Sequence, residues 1–492
     1  MSDFILDKED TDVVILPSPA LSRTATSTIQ QFEIDDSEAL TAAPRRRSES
    51  PKGIARVSAE PNDDTNVQEL PPVDRGWRAW SFCLAAFTLE TLVWGFSYSY
   101  GVFQNYYTTH PPFENASPTR LAAVGPTALA IQFAEGIILS FFHSRYPDYV
   151  KKTMWFGLGL CSLCLVLSSF VSQVPLLILL QGVGLGIGGG MLYWPVISLV
   201  SDWFVERRGL AGGIIFAGSG AGGFLFPFIA NALLDRVGFR WTLRIWAALQ
   251  TVLGGGALLA VQPRVPLPRF GHGQRRPPII PPRVQFVKRP VFWAYSTTNL
   301  LQAMSYFPVS LYIAVFTTSI SSPLSATVVL SLFNVSGVIG QVLIGWLSDK
   351  FPYPWIMFAN ALISSMAAFL LWGFADTLAQ VFVFAIIFGG LSGGFSSVGF
   401  SVAVDSAGEN PEQAPMALTA FTFVKGIAAI IGPIVSGILL EAGKSSTFGN
   451  IGSTSYGKFG FGPVEIFVGS CAAATSISSL VVAATRPRVR SS

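Results

Sequence analysis

The sequence predicts an all-α polytopic membrane protein with twelve transmembrane helices in two six-helix bundles. Three observations carry this expectation. Half of the 492 residues are hydrophobic and only 12% are charged, about half the charged share of an average soluble protein, and the mean hydropathy is +0.50. Apolar stretches that reach the length of about 20 residues needed to cross a bilayer recur from residue 79 to residue 485. A basic, proline-rich segment (263–290), unsuited to a helix in lipid, divides these stretches six and six.

Residues 1–77 are rich in Ser, Thr, Pro, Asp and Glu and are expected to be a disordered cytoplasmic tail, with Arg45, Arg46 and Arg47 read as a solvated run first and, with Ser48, as a phosphorylation site second. Residues 1–74 hold 15 of the 29 acidic residues and 7 of the 32 basic ones. The remainder is therefore net positive, as suits a membrane domain facing anionic lipid. No cleavable signal peptide is expected, because this segment has no apolar core.

Helices are predicted at 79–104, 120–142, 153–172, 175–200, 209–233 and 241–262 in the first bundle (78–262). The second bundle (291–485) is predicted to hold helices at 291–318, 323–347, 354–375, 378–404, 414–440 and 462–485, before a short tail (486–492). The loops after the second, fourth and sixth helices carry three, two and seven basic residues, and those after the third, seventh and ninth carry none. Positive loops stay inside, so both termini are expected in the cytoplasm.

One stretch organises the functional reading. Asp202-Trp203-Phe204-Val205-Glu206-Arg207-Arg208 runs into an apolar segment with small residues at Gly209, Gly213, Ala217 and Ala221, ending at Pro227. Small residues four apart share a helix face and allow another helix to approach closely. The arginines mark the cytoplasmic end, because charge enters hydrocarbon at high cost. The string resembles the signature entering the fifth helix of the monocarboxylate transporter family, a branch of the major facilitator superfamily. Three further elements add to the resemblance. Asp74-Arg75-Gly76-Trp77-Arg78-Ala79-Trp80 precedes the first helix, where that family has an Asp-Gly-Gly-aromatic-x-Trp element. Gly345-Trp346-Leu347-Ser348-Asp349-Lys350 resembles the superfamily's Gly-x-x-x-Asp-basic gating loop. Phe423-Val424-Lys425-Gly426 leading to Gly432-Pro433 resembles the family's eleventh helix. In the first half the gating loop reads Phe142-His143-Ser144-Arg145-Tyr146-Pro147 without an aspartate, so gating is expected to rest on Asp349.

Charged residues inside helices are the sharper signal, since each costs about 2.5–3.5 kcal/mol on insertion scales. Glu90, mid-way along the first helix, and Lys425, mid-way along the eleventh, are the candidates for substrate binding or proton coupling, against a purely structural ion pair. Glu135 abuts the inner gating loop and reads as structural, and Arg244 as a snorkelling side chain. The resemblance adds Tyr98, Tyr306 and Asn334 as candidate substrate contacts, within a wider set that includes Tyr100, Gln132, Tyr193, Trp194, Asn299 and Gln302. Family members that move lactate with a proton carry a lysine in helix 1 and an Asp/Arg pair in helix 8. Here the first position falls near Tyr98 and helix 8 reads Phe333-Asn334-Val335-Ser336-Gly337, so plain proton–lactate symport is not expected.

Other features read as packing. Gly182, Gly184, Gly186 and Gly188 lie inside an apolar segment with no preceding strand, which suits helix contact rather than nucleotide binding. Gln181 stands where the superfamily often has an arginine. Cys161 and Cys164, embedded among leucines, and the isolated Cys83 and Cys471 suit neither metal nor redox chemistry. With only three histidines and no catalytic cluster, an enzyme is not expected, nor are a cofactor and a nucleic-acid partner.

The resemblance thus implies a secondary active transporter, a symporter or antiporter of fungal type, working by alternating access around a mid-membrane site. The expected partners are a small-molecule substrate, the lipid bilayer and protons, and the expected location is the plasma membrane, with the vacuolar membrane as the alternative. The first reading is export of a small organic anion or secondary metabolite. Uptake of a monocarboxylate or riboflavin-like vitamin is the second, and a non-transporting nutrient receptor the third.

Overall fold

A computed structural model describes residues 70–268, 270, 275–278, 284–445 and 456–486. The expected tail up to residue 69, its Arg45–Arg47 run, much of the 263–290 segment and residues 487–492 lie outside the described residues. Among the described residues there is no strand, and eleven helical runs are long and apolar enough to cross a membrane. In chain order, α1 is Gly76–Thr109, α2 Arg120–Arg145, α3 Pro147–Ser168 and α4 Val174–Trp203. The next run, Arg208–Ala260, has 53 residues, about 80 Å of helix against a hydrocarbon core of about 30 Å. It breaks at Gly238, where φ 71° and ψ 170° are not helical, giving α5 (208–237) and α6 (239–260) and bringing the spans to twelve. The rest are α7 Pro290–Ile320, α8 Leu324–Lys350, α9 Tyr353–Trp372, α10 Leu378–Ala407, α11 Ala414–Ser445 and α12 Gly462–Thr485.

The sequence expects a loop over 234–240, and the structure corrects this. Leu234, Asp235, Arg236 and Val237 continue the helix, and a single glycine makes the turn. That backbone region is open to glycine alone among the common residues.

Contacts repeat with a shift of six helices. In the first half α1 packs on α5, α2 on α4 and α3 on α6; in the second α7 packs on α11, α8 on α10 and α9 on α12. The halves meet along two seams, α2 with α11 and α5 with α8. This is the arrangement expected of two parallel repeats about an axis along the membrane normal.

Glycines set how close the helices come. A Cβ on Gly222 of α5 would fall 2.6 Å from the Gly95 Cα of α1, and one on Gly218 would fall 2.5 Å from the Phe87 carbonyl oxygen. A different face of α5 turns to the other half, where Gly209 and Gly213 meet Gly345 and the Gln341 carbonyl and Gly220 meets Val338. The seam passes through Gly220 rather than Ala221 because seven residues make close to two turns. On α4, Gly184 and Gly188 face Cys164 and Cys161, while Gly189 and Gly190 face Gln132 and Glu135. The glycine run of α4 is thus spent on helix packing, and all four cysteines are buried and free. Gln181, in a π-helical turn, donates to the Tyr107 hydroxyl at 3.1 Å.

Two ends are tied down by charge. Arg276 of the segment after α6 makes paired hydrogen bonds to Asp148 at 2.6 and 3.0 Å and lies over Tyr146. At the end of α12, Arg486 and the Tyr353 hydroxyl both donate to Asp405 Oδ2, at 3.1 and 2.8 Å. Arg244 donates to Ser169 and stacks over Phe170 and Trp241.

Candidate functional site: a central cavity and the latch beneath it

Between the halves lies a cavity of about 70 Å³, well under the range of about 300–1,000 Å³ usual for an open small-molecule site. Its wall follows from helical periodicity. Glu90, Trp94 and Tyr98 are four apart and form one stripe of α1, and Leu418, Phe421, Thr422 and Lys425 form the facing stripe of α11. Phe133 of α2, Tyr193 of α4, Phe216 and Ser219 of α5, Tyr295 and Asn299 of α7, Gln341 of α8 and Ser396 and Gly399 of α10 complete it. The lining holds seven aromatic side chains and seven polar or charged ones that converge on the same space.

The two charges share this space without pairing. Lys425 Nζ donates to Ser396 Oγ at 2.5 Å. The Glu90 carboxyl, 3% exposed, meets the Tyr193 hydroxyl, and its Oε2 has no hydrogen-bond partner. They feel each other's charge but form no ion pair. A buried charge holds its place only if paired, hydrogen-bonded or met by a ligand. Both groups therefore remain available to something that enters the cavity.

Of the other candidates, Tyr98 lines the cavity and is 43% exposed. Tyr306 and Asn334 are not in its lining: Tyr306 stacks on Phe333 at 5.5 Å, and the Asn334 backbone lies near Gly220 on the α5–α8 seam. Tyr100 is buried and donates to the Leu121 carbonyl at 2.8 Å. Gln132 accepts from Ser97 at 3.3 Å, and its carbonyl accepts from Trp194 Nε1 at 2.9 Å. Glu135 is 9% exposed, lies against Gly190, and has Oε1 unpartnered. Sequence reasoning missed Trp94, Phe216, Gln341, Ser396 and Thr422, which are apolar or uncharged residues in apolar helices and carry no mark there.

Below the cavity the two halves close on one helix start. Phe400 of α10 presses on Gly212 and stacks near Phe216 with ring centres 5.1 Å apart. Beyond it, Asp349 at the end of α8 accepts from the Gly209 and Leu210 backbone N–H groups at 2.7 and 2.8 Å. These are orphan donors at the start of α5, and the helix dipole favours a carboxylate there. The same turn is held from its own half. Asp74 accepts from the N–H groups of Val205, Glu206 and Arg207 at 2.9–3.1 Å. Trp80 meets Phe204 edge-on at 5.4 Å. Arg208 donates to the Phe204 carbonyl and sits within the field of Asp74, Asp202 and Asp349, while Lys350 lies over Trp346. Asp74, Asp202, Arg207, Arg208, Gly345 and Asp349 thus form one cluster. In the first half, Ser144-Arg145-Tyr146-Pro147 occupies the place of Asp349-Lys350-Phe351-Pro352.

The comparisons agree with this geometry. The family model described as Major Facilitator Superfamily matches residues 82–433. The chain is 28% identical over 435 residues to an MFS-type transporter of Gibberella zeae, covering 85% of this chain and 94% of that protein. It is 28% identical to the fujikurins efflux protein of Gibberella fujikuroi, covering 82% of this chain and 85% of the other. It is 26% identical to the aspyridones efflux protein of Emericella nidulans, covering 75% and 74%. With twelve apolar helices among the described residues, in two repeats around a shared cavity, and a match across most of its length, the chain belongs to the Major Facilitator Superfamily of membrane transporters.

Proposed function

We propose that this transporter exports a small organic anion or secondary metabolite across the plasma membrane. One observation carries the reading: an ammonium and a carboxyl face a single cavity, lined as much by aromatic rings as by polar groups, and leave each other unpaired. Lys425, steadied by Ser396, takes the anionic group of the solute, and aromatic rings such as Trp94 and Tyr98 cover its body. Glu90 takes up or releases the coupled proton beside Tyr193. The cavity opens alternately to either side as the bundles 78–262 and 291–485 rock about it, and the Asp349–α5 contact latches the cytoplasmic side between strokes. Both termini are cytoplasmic on the distribution of basic residues in the loops. The printed names of two relatives, efflux proteins for aspyridones and for fujikurins, support export and an organic product as cargo.

The test is a metabolite comparison of medium and cells with and without this protein. Export predicts a compound that falls in the medium and accumulates in cells lacking the protein. A compound that instead stays in the medium and is depleted from those cells would show uptake, and an unchanged metabolite profile with lost nutrient signalling would show a receptor.

A further inference from the structure

A second, smaller cavity lies inside the second half, one helical turn from the first along two of the same helices. Asn299 and Ser396 face the central cavity, whereas Gln302 and Ser392 face this one. It is closed by Asn360 and Ser364 of α9, Leu391 and Phe395 of α10, and Thr475 of α12. All six of its polar side chains are more than nine-tenths buried, and three matter here: Gln302 at 5%, Asn360 at 6% and Ser364 at 2% exposure. Each has an atom with no partner, namely Gln302 Oε1, Asn360 Nδ2 and Ser364 Oγ. An unmet buried polar group costs about 1–3 kcal/mol, so three orphans facing one cavity point to an occupant.

We infer that this cavity holds a buried water bonded to Gln302, Asn360 and Ser364. The donor set selects water. An orphan acceptor and an orphan donor face the same space, and water serves both, making about three hydrogen bonds when buried. A cation is met poorly by the Asn360 amide N–H, and no carboxylate lines the cavity to offset its charge. An apolar occupant satisfies none of the three groups.

The position gives the water a structural task. Alpha-helical geometry in α10 lapses at Phe395–Val398, which is 3₁₀, and such a lapse inside a helix often marks a hinge. The Gln302 amide donates to the Ser392 carbonyl at 2.7 Å and to its hydroxyl at 3.1 Å, just before the lapse. Ser396, within it, receives the Lys425 hydrogen bond. The water fixes the far side of the Gln302 amide and so positions the broken turn that carries Ser396.

Radiolytic hydroxyl labelling of the purified full-length protein in ¹⁸O water tests this directly. Phe395, buried in the bundle, and the half-buried Leu391 one turn before it should acquire the ¹⁸O label from the bound water. Asn360→Leu, which removes one partner and fills the space, should reduce that label to background. Wild-type protein with no label at either residue, or an Asn360→Leu protein labelled as strongly as wild type, overturns the inference. A second measurement needs no variant: melting temperatures in sodium and in choline chloride at equal ionic strength should coincide. Stabilisation specific to sodium overturns the water in favour of a cation.

Discussion

Replacing Lys425 with Gln removes the ammonium but keeps a donor within reach of Ser396, so the protein should fold while transport fails. The loss of one charge-assisted hydrogen bond, about 1.5–3 kcal/mol, corresponds to a fall of about 10- to 150-fold in transport at low solute. Glu90→Gln should mainly change the dependence of flux on the pH gradient, because it leaves the Lys425–Ser396 contact intact. In purified protein in liposomes, the double variant should stay as inactive as Lys425→Gln. Full recovery in the double variant would mean that the two residues serve only each other, and would end the assignment of Lys425 to the solute. Asp349→Asn tests the latch in the same assay. Losing the charge at the start of α5 should weaken the closed state by about 1–2 kcal/mol, raising the accessibility of cavity residues from the cytoplasmic side without unfolding the protein. Glu90, Lys425 and Asp349 were legible in the sequence because a charge inside or beside an apolar helix is conspicuous there. Trp94 and Ser396 were not, because their roles depend on which face of a helix meets which neighbour.

Among helices, the glycines of α5 give opposite expectations on its two faces. Gly222 touches Gly95 of the same half, so Gly222→Leu should prevent α1 and α5 from closing and lower the yield of folded protein. Gly213 touches α8 of the other half, so Gly213→Leu should leave the halves folded and disfavour this closed arrangement. Size-exclusion profiles and cavity accessibility measured together distinguish the two; identical behaviour would contradict the separation of faces. Gly238→Ala should cost about 1–3 kcal/mol, because φ 71° with ψ 170° is closed to residues bearing a Cβ, and thermal unfolding in detergent would read it. The helices themselves were plain in the sequence, since length and apolar content define a span. The break near Gly238 was legible too, as the gap between the helices predicted at 209–233 and 241–262, but its confinement to a single glycine was not, because only the backbone angle reveals it. The 3₁₀ lapse in α10 was equally silent, lying in a run of small residues that also suits close packing.

For the molecule as a whole, sidedness is the expectation that loop charge makes and that labelling can check. Single cysteines at Ser322 or Ser445, both exposed, should react with an impermeant thiol reagent added outside, and one at Phe351, 57% exposed, should not. The four native cysteines are buried, which keeps the background low. The opposite pattern would invert the molecule in the membrane. The repeat of helix pairs across the halves was legible only faintly in the sequence, because packing partners, not residue identities, are what recur. That repeat is unequal at one point: the last turn of α8 carries Asp349, and α2 carries Ser144 in its place. The consequence concerns timing. A fastening worth about 1–2 kcal/mol on one seam alone prolongs its closed dwell by about 5- to 30-fold relative to its twin. The α2–α11 seam should then part first and the α5–α8 seam last, so that this mouth swings like a door on its bolted edge instead of drawing apart like curtains.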